Sequence, residues 1–253
     1  MSARASAGVA AARREVFADL DALSRAAADY VVHAARAAVT SRGRFTIALS
    51  GGGTPRPLYR LLATEYRDRV PWERVAVFYS DERCVPPTDP ASNYGMTRDE
   101  LLARVPIPPA HVHRMRGELP PGDGARDYEA TLRRELPDDG PHTPLLDFAL
   151  LGVGADGHTA SLFPDAAAAL SERARWVLHT QAPAGAPSRD RLTLTFAVLD
   201  RSRESFVLCA GPEKRDVARR IASGDRTLPA AHITALSRTV WLLDREAAGT
   251  KDA

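Results

Sequence analysis

The chain has 253 residues, in which 34 Lys and Arg nearly balance 32 Asp and Glu, leaving a formal charge of +2 at pH 7. That balance excludes a global field drawing the protein to nucleic acid or to an anionic membrane, so any anion site must be local. Two cysteines, Cys84 and Cys209, are too few for a disulfide framework or a Cys-rich metal site. The apolar runs fall short of the roughly 20 residues of a membrane helix, so the expectation is a soluble cytoplasmic protein, one domain over residues 1–253.

The chain opens on "MSARASAGVAAARREVF", rich in Ala and Arg but without the apolar segment of a secretory signal. Residues 1–14 read as a frayed lead into the first helix, in preference to an organelle transit peptide. From Glu15 to Val39 the apolar positions Val16, Leu20, Leu23, Ala27, Tyr30, Val31 and Ala34 recur at helical spacing, predicting a long amphipathic helix ended by "TSRGR". "RFTIAL" then reads as a buried strand, "SGGGTP" as a loop, and "RPLYRLLATEY" as a helix with Pro55 in its first turn.

A second strand, "RVAVFY", leads into "SDERCVPPTDPASNYG", whose Pro and turn formers predict an irregular segment. A helix over "MTRDELLARV" follows, then a Pro-broken connection through "PIPPAHVHRM" and a helix around Gly124 to Glu135. "LLDFALLGVG", "RWVLHT", "RLTLTF" and "SFVLCA" read as strands, "PEKRDVARRIAS" as a helix, "AAHITAL" as a short helix and "TVWLLD" as a closing strand. This alternation predicts an α/β fold with an open, mostly parallel, Rossmann-like sheet covered by helices on both faces. In such sheets ligands bind beyond the carboxyl ends of the strands. Three loops are therefore singled out: Ser50–Thr54, Ser80–Gly95 and Gly152–Pro164.

In the third loop Gly152, Gly154 and Gly157 spell G-x-G-x-x-G. A dinucleotide fingerprint needs a helix straight after the glycines and an acidic residue at the end of the next strand. Pro164 breaks any helix starting there, and "RWVLHT" ends without a carboxylate. What remains is Asp156-Gly157-His158, held by small residues at a strand end. A His titrates near neutrality and can take a proton from water and return it to a leaving group, and an adjacent carboxylate can orient its ring.

The first loop presents the backbone N–H groups of Gly51, Gly52, Gly53 and Thr54 at the start of a helix, where partial positive charge favours an anion. The Gly-Lys-Ser/Thr ending of a Walker loop is missing, so a monophosphate fits better than ATP. Lys214, just after a strand, aims at the same sheet edge. Arg191 opens "RLTLTF", at the far end in a simple reading, unless the preceding loop folds over. The second loop adds Asp81, Glu82 and Arg83, suited to hydroxyls, carboxylates and basic groups. Cys84 beside them has no evident His partner, and a buried or incidental thiol is the better reading. His111, His113 and His142 form no metal-ligand spacing, so no metal is expected.

Taken together, "SGGGTPRPLY", "FYSDERCVPPTDPASNYGM" and "LGVGADGHTASLFP" resemble the glucosamine-6-phosphate isomerase/6-phosphogluconolactonase family, on its lactonase side. The likeness runs from about Gly43 to the last strand. It implies a NagB/RpiA-like α/β fold, no cofactor, and hydrolysis of 6-phospho-D-glucono-1,5-lactone to 6-phosphogluconate in the oxidative pentose phosphate pathway. It also implies His158 as general base assisted by Asp156, the 6-phosphate on Gly51, Gly52, Gly53 and Thr54 with Lys214 and Arg191, and sugar oxygens near Asp81 and Arg83. The expected partner is the small phosphosugar lactone alone, bound by a monomer. The alternative is a glucosamine-6-phosphate deaminase-like isomerase. Those relatives carry a run of the kind "IAFNEP" after Asp-Gly-His and Asp-Glu-Tyr at the second loop, where this chain has "TASLFP" and "SDER".

Overall fold

A computed structural model of the chain describes residues 12–140, 142–186 and 188–250. In chain order the elements are β1 (Arg13–Phe17), α1 (Leu20–Arg42), β2 (Phe45–Leu49), α2 (Arg56–Ala63), β3 (Val75–Tyr79), β4 (Asp81–Arg83), α3 (Asn93–Glu100) and α4 (Pro121–Glu135). They continue as β5 (Leu146–Gly152), α5 (Ala167–Ser171), β6 (Val177–Gln181), β7 (Asp190–Leu194), α6 (Phe196–Leu199), β8 (Ser202–Cys209), α7 (Arg215–Ala222), β9 (Arg238–Asp244) and α8 (Arg245–Ala248).

Six strands form one sheet in the order β1-β9-β8-β5-β2-β3, and every pairing in it is parallel. Parallel strands need crossovers, and covering both faces buries them on both sides. That is why β2 and β3 read as continuous apolar runs: all five residues of each are buried. α1 lays Leu23, Ala27, Ala28, Val31, Val32, Ala35 and Ala38 inward at i, i+4 and i+7 spacing, and the small Ala side chains let the helix approach the strands closely. Each large aliphatic side chain so buried contributes roughly 1.5–3 kcal/mol, and nearly all the buried apolar residues form one continuous cluster.

The first helix starts later than its periodicity predicts. Asp19 caps it by accepting from Ala22 N at 2.8 Å, and Gly43 closes it in the left-handed region at φ 77°. Residues 13–17, expected as frayed lead and helix start, instead form the edge strand β1, in parallel register with β9. Val16, which fits the helical period, stands 47% exposed on that strand. Residues 1–11, which hold the rest of the expected lead, lie outside the described residues.

A second departure shapes the site. "RWVLHT" and "RLTLTF" do not join the parallel sheet. They form β6 and β7, which pair antiparallel with each other and with β4 in a separate sheet of order β4-β7-β6. The start of the acidic loop is thus a strand, and α4 packs on β6 and β7 as the cover of this smaller sheet. The helix expected from Met96 begins at Asn93, because Ser92 accepts from Gly95 N at 2.9 Å and caps it there.

Candidate active site

The carboxyl ends of β2, β3 and β5 converge on a cleft of about 200 Å³, lined by Ser50, Gly51–Pro55, Asp81, Arg83, Asn93, Gly152–Gly154, His158, Ala160 and Lys214. Eight of the ten residues expected at the site line it: Gly51, Gly52, Gly53, Thr54, Asp81, Arg83, His158 and Lys214. Asp156 and Arg191 are not among the lining residues: Asp156 contacts His158, and Arg191 pairs with Arg83. A broader cleft of about 1050 Å³ opens beside it, sharing Gly53, Thr54 and Lys214.

His158 is held by its neighbours in sequence. Its Nδ1 lies 2.6 Å from Asp156 Oδ1, and its backbone N–H donates to the same oxygen at 3.1 Å. With Nδ1 on a carboxylate, the ring carries its proton there and Nε2 is left as the basic nitrogen. Burial pushes the Asp156 carboxyl up, but the hydrogen bonds from His158 prevail and hold it below its ordinary value. The ring also rests against Phe163, centroid to centroid 4.9 Å.

The glycines of this loop serve that pair. A Cβ on Gly154 would lie 2.1 Å from His158 Nδ1 and 2.4 Å from Asp156 Oδ1, so the pair occupies the space a side chain would fill. Gly157 sits at φ 86° with Leu228 against it. No dinucleotide helix follows them: the next helix is the five-residue α5, beyond Pro164. Ala160, at φ 48°, is the sole non-Gly residue with positive φ among those described, and it lines the cleft. Such backbone strain is retained where the surroundings over-determine it.

The acidic loop divides its labour. Glu82 is scaffold: its carboxylate accepts from the backbone N–H of Arg83, Asn93 and Tyr94 and from Ser92 Oγ at 2.6–3.1 Å, anchoring the start of α3. Burial pushes this carboxyl up, against those donors. Asp81 ties loops together, accepting from Ser161 Oγ at 2.7 Å on Oδ2 and from Asn93 Nδ2 at 3.2 Å on Oδ1. Arg83 is the member with capacity to spare, since its Nη1 donates to Ala91 O at 2.6 Å while its buried Nε has no partner. Cys84 is no nucleophile in this setting, because burial and nearby Asp190 push its thiol up to about 11.

Arg191 is not at the far end of the sheet. Because β7 runs antiparallel to β4, Arg191 pairs in register with Arg83. It is buried, its Nη1 has no partner, and burial together with the like charge of Arg83 holds its guanidinium below the ordinary range. Each of these two guanidiniums thus keeps a buried N–H without a protein partner, a donor type suited to an anionic oxygen. Lys214 enters from the turn between β8 and α7 and has no side-chain partner among the described residues. Asn93, Ser161 and Ser50 were not singled out individually from sequence, although each lies within one of the three loops named there. Among the described residues no group of three or more His, Cys, Asp or Glu side chains is placed to hold a metal ion. No helix among them is long and apolar enough to cross a membrane.

Residues 18–241 match the family model described as glucosamine-6-phosphate isomerases/6-phosphogluconolactonase. A 6-phosphogluconolactonase of Mycobacterium tuberculosis is 39% identical over 241 residues, covering 92% of this chain and 96% of the relative. One of Treponema pallidum is 36% identical over 211 residues, covering 83% and 84%. The crystal structure of 6-phosphogluconolactonase from Thermotoga maritima superposes with a TM-score of 0.81 at 30% identity, over 92% of this chain and 99% of that one.

Proposed function

The chain belongs to the glucosamine-6-phosphate isomerase/6-phosphogluconolactonase family and is an ester hydrolase of its lactonase branch, and on that premise we propose how its residues open 6-phospho-D-glucono-1,5-lactone. His158 Nε2 takes a proton from water as the water oxygen attacks the lactone carbonyl. The C–O bond to the ring oxygen then breaks, and the imidazolium returns the proton to that oxygen, giving 6-phosphogluconate. Asp156 keeps the ring in the productive tautomer and stabilises the imidazolium.

The 6-phosphate rests on the N–H groups of Gly51, Gly52, Gly53 and Thr54, with Lys214 beside them. Arg83 meets the substrate's oxygens directly, and Arg191 adds charge from behind it. Asp81 lines the cleft towards the substrate's oxygens while its carboxylate also fixes the loops through Asn93 and Ser161. The observation that carries this reading is the 2.6 Å His158–Asp156 contact at the edge of a cleft whose other wall is a glycine-rich anion cradle.

The steps so written use no metal or cofactor, and treatment with EDTA should leave the rate unchanged. The enzyme is read as cytoplasmic, which its two free cysteines support, and as a monomer of one domain over residues 1–253, which sedimentation checks for the monomer. Purified protein should speed the loss of freshly made 6-phosphogluconolactone above its spontaneous rate. Failure to do so, or release of ammonia from glucosamine 6-phosphate, would overturn the assignment.

A further inference from the structure

Among the described residues, three of the buried side-chain polar atoms without a hydrogen-bond partner belong to residues lining this one cleft, Arg83 Nε, Ser50 Oγ and Asn93 Oδ1, and a fourth, Arg191 Nη1, belongs to the strand residue paired with Arg83. The two guanidinium nitrogens are donors on charged groups that the oxygens of a phosphorylated substrate would satisfy. Ser50 and Asn93 have no such explanation. Ser50 is 5% and Asn93 1% exposed, and an orphaned buried polar group costs about 1–3 kcal/mol. Such atoms call for a partner from outside the protein chain, and a bound ligand is one that a cleft can supply.

The orientation of the Asn93 amide follows from its partners. Its Nδ2 donates to Asp81 O at 2.9 Å and to Asp81 Oδ1 at 3.2 Å, both pure acceptors, so the amide cannot be turned round. Oδ1 therefore lies on the Gly51 side, where a Cβ on Gly51 would come within 1.7 Å of it. Ser50 follows β2, which pairs with both β3 and β5, so it sits on the cleft floor between the acidic loop and the loop of His158. It is the residue before the phosphate cradle.

A hydroxyl that can donate and accept, and a carbonyl oxygen that can only accept, are the complement of an alcohol. A phosphate or carboxylate oxygen has no hydrogen for Asn93 Oδ1. We propose that Ser50 and Asn93 form a hydroxyl subsite on the floor of the cleft, binding a ring hydroxyl of the sugar lactone between its phosphate and its carbonyl. This rests on the lactonase reading and extends it to how the site recognises the polyol.

The test compares 6-phosphogluconolactone with its freshly prepared 2-deoxy, 3-deoxy and 4-deoxy analogues, on wild-type protein and on Ser50→Ala. In the protein alone Ser50 Oγ bonds nothing, so the variant should keep or raise its Tm. Its kcat/KM for the full lactone should fall roughly tenfold, and the analogue missing the matching hydroxyl should be turned over equally by both proteins. If wild type hydrolyses the full lactone and all three analogues with the same kcat/KM, or Ser50→Ala stays within about twofold of wild type, the hydroxyl subsite is wrong while the lactonase reading stands. If wild type leaves the full lactone untouched, both fall.

Discussion

Ser161 Oγ donates to Asp81 Oδ2 at 2.7 Å, joining the loop that carries His158 to the loop that carries Arg83 across 80 residues of chain. Ser161 is further held by its own N–H on Thr193 Oγ1 and by Thr180 Oγ1 on its carbonyl, so the smaller antiparallel sheet braces this junction. Ser161→Ala leaves a buried carboxylate oxygen without its donor and should cost about 1–3 kcal/mol of stability. It should also lower kcat more than it changes KM, as measured by denaturant midpoint and steady-state kinetics. Wild-type values for both would show that the two loops are positioned independently.

His158→Ala should remove most of kcat with the fold intact, and Asp156→Asn should lower kcat by about 10²–10⁴-fold by releasing the ring tautomer. Because the Asp156 carboxyl is held below its ordinary 3.8 in the folded state, the stability it contributes is present above that value and is lost as pH falls through the lowered one. Wild type should thus lose stability more steeply than Asp156→Asn below about pH 4. Parallel acid-denaturation curves would contradict this.

Gly51 and Gly53 are adjacent in role but not in tolerance. A Cβ on Gly51 overlaps the Asn93 amide, whereas one on Gly53 meets nothing within 4 Å. Gly51→Ala should displace the cradle from Asn93, raising KM and lowering Tm, while Gly53→Ala should fold with wild-type Tm. Equal Tm for the two variants would mean that Asn93 is not fixed against the cradle.

Arg191 is a buried cation in register with a second arginine, Arg83, and burial with that like charge outweighs the opposing pull of Asp81 and Glu82. Arg191→Leu should therefore leave the ligand-free protein as stable as wild type or more so, yet raise KM at least about tenfold. It should also weaken thermal stabilisation by 6-phosphogluconate. A lower Tm with unchanged KM would make Arg191 purely structural.

The two thiols should be unreactive. Cys84 is pushed up to about 11 and Cys209 to about 12, chiefly by burial. At about pH 8 neither should form appreciable thiolate, and iodoacetamide should label the native enzyme slowly without loss of activity. Rapid labelling of Cys84 coupled to inactivation would reopen a thiol mechanism.

Much of this architecture is legible in one dimension. The buried runs of β2, β3 and β5 announce a parallel sheet, and the three loops at their carboxyl ends do meet in one cleft. The start of α1 is not legible that way, because Val16 fits both the helical period and the edge strand, and the choice goes to the cap at Asp19 and the partner strand β9. Arg191 is a plainer case, since its end of the sheet depends on strand direction, which a five-residue strand pattern does not encode.

Local chemistry is therefore the part the sequence determined by itself: Asp156 and His158 two residues apart, the run of three glycines, and the residue types able to handle a phosphate and a proton. Tertiary structure alone decided which polar groups are spent and which are available. Glu82 is engaged in anchoring α3 and Asp81 in tying two loops, while Ser50, Asn93 and Arg83 keep unfilled donors or acceptors at the cleft and Arg191 keeps one beside Arg83. The reason is physical: a hydrogen bond between residues 80 apart exists only once the chain has brought them within 3 Å, and no spacing in the sequence records that approach.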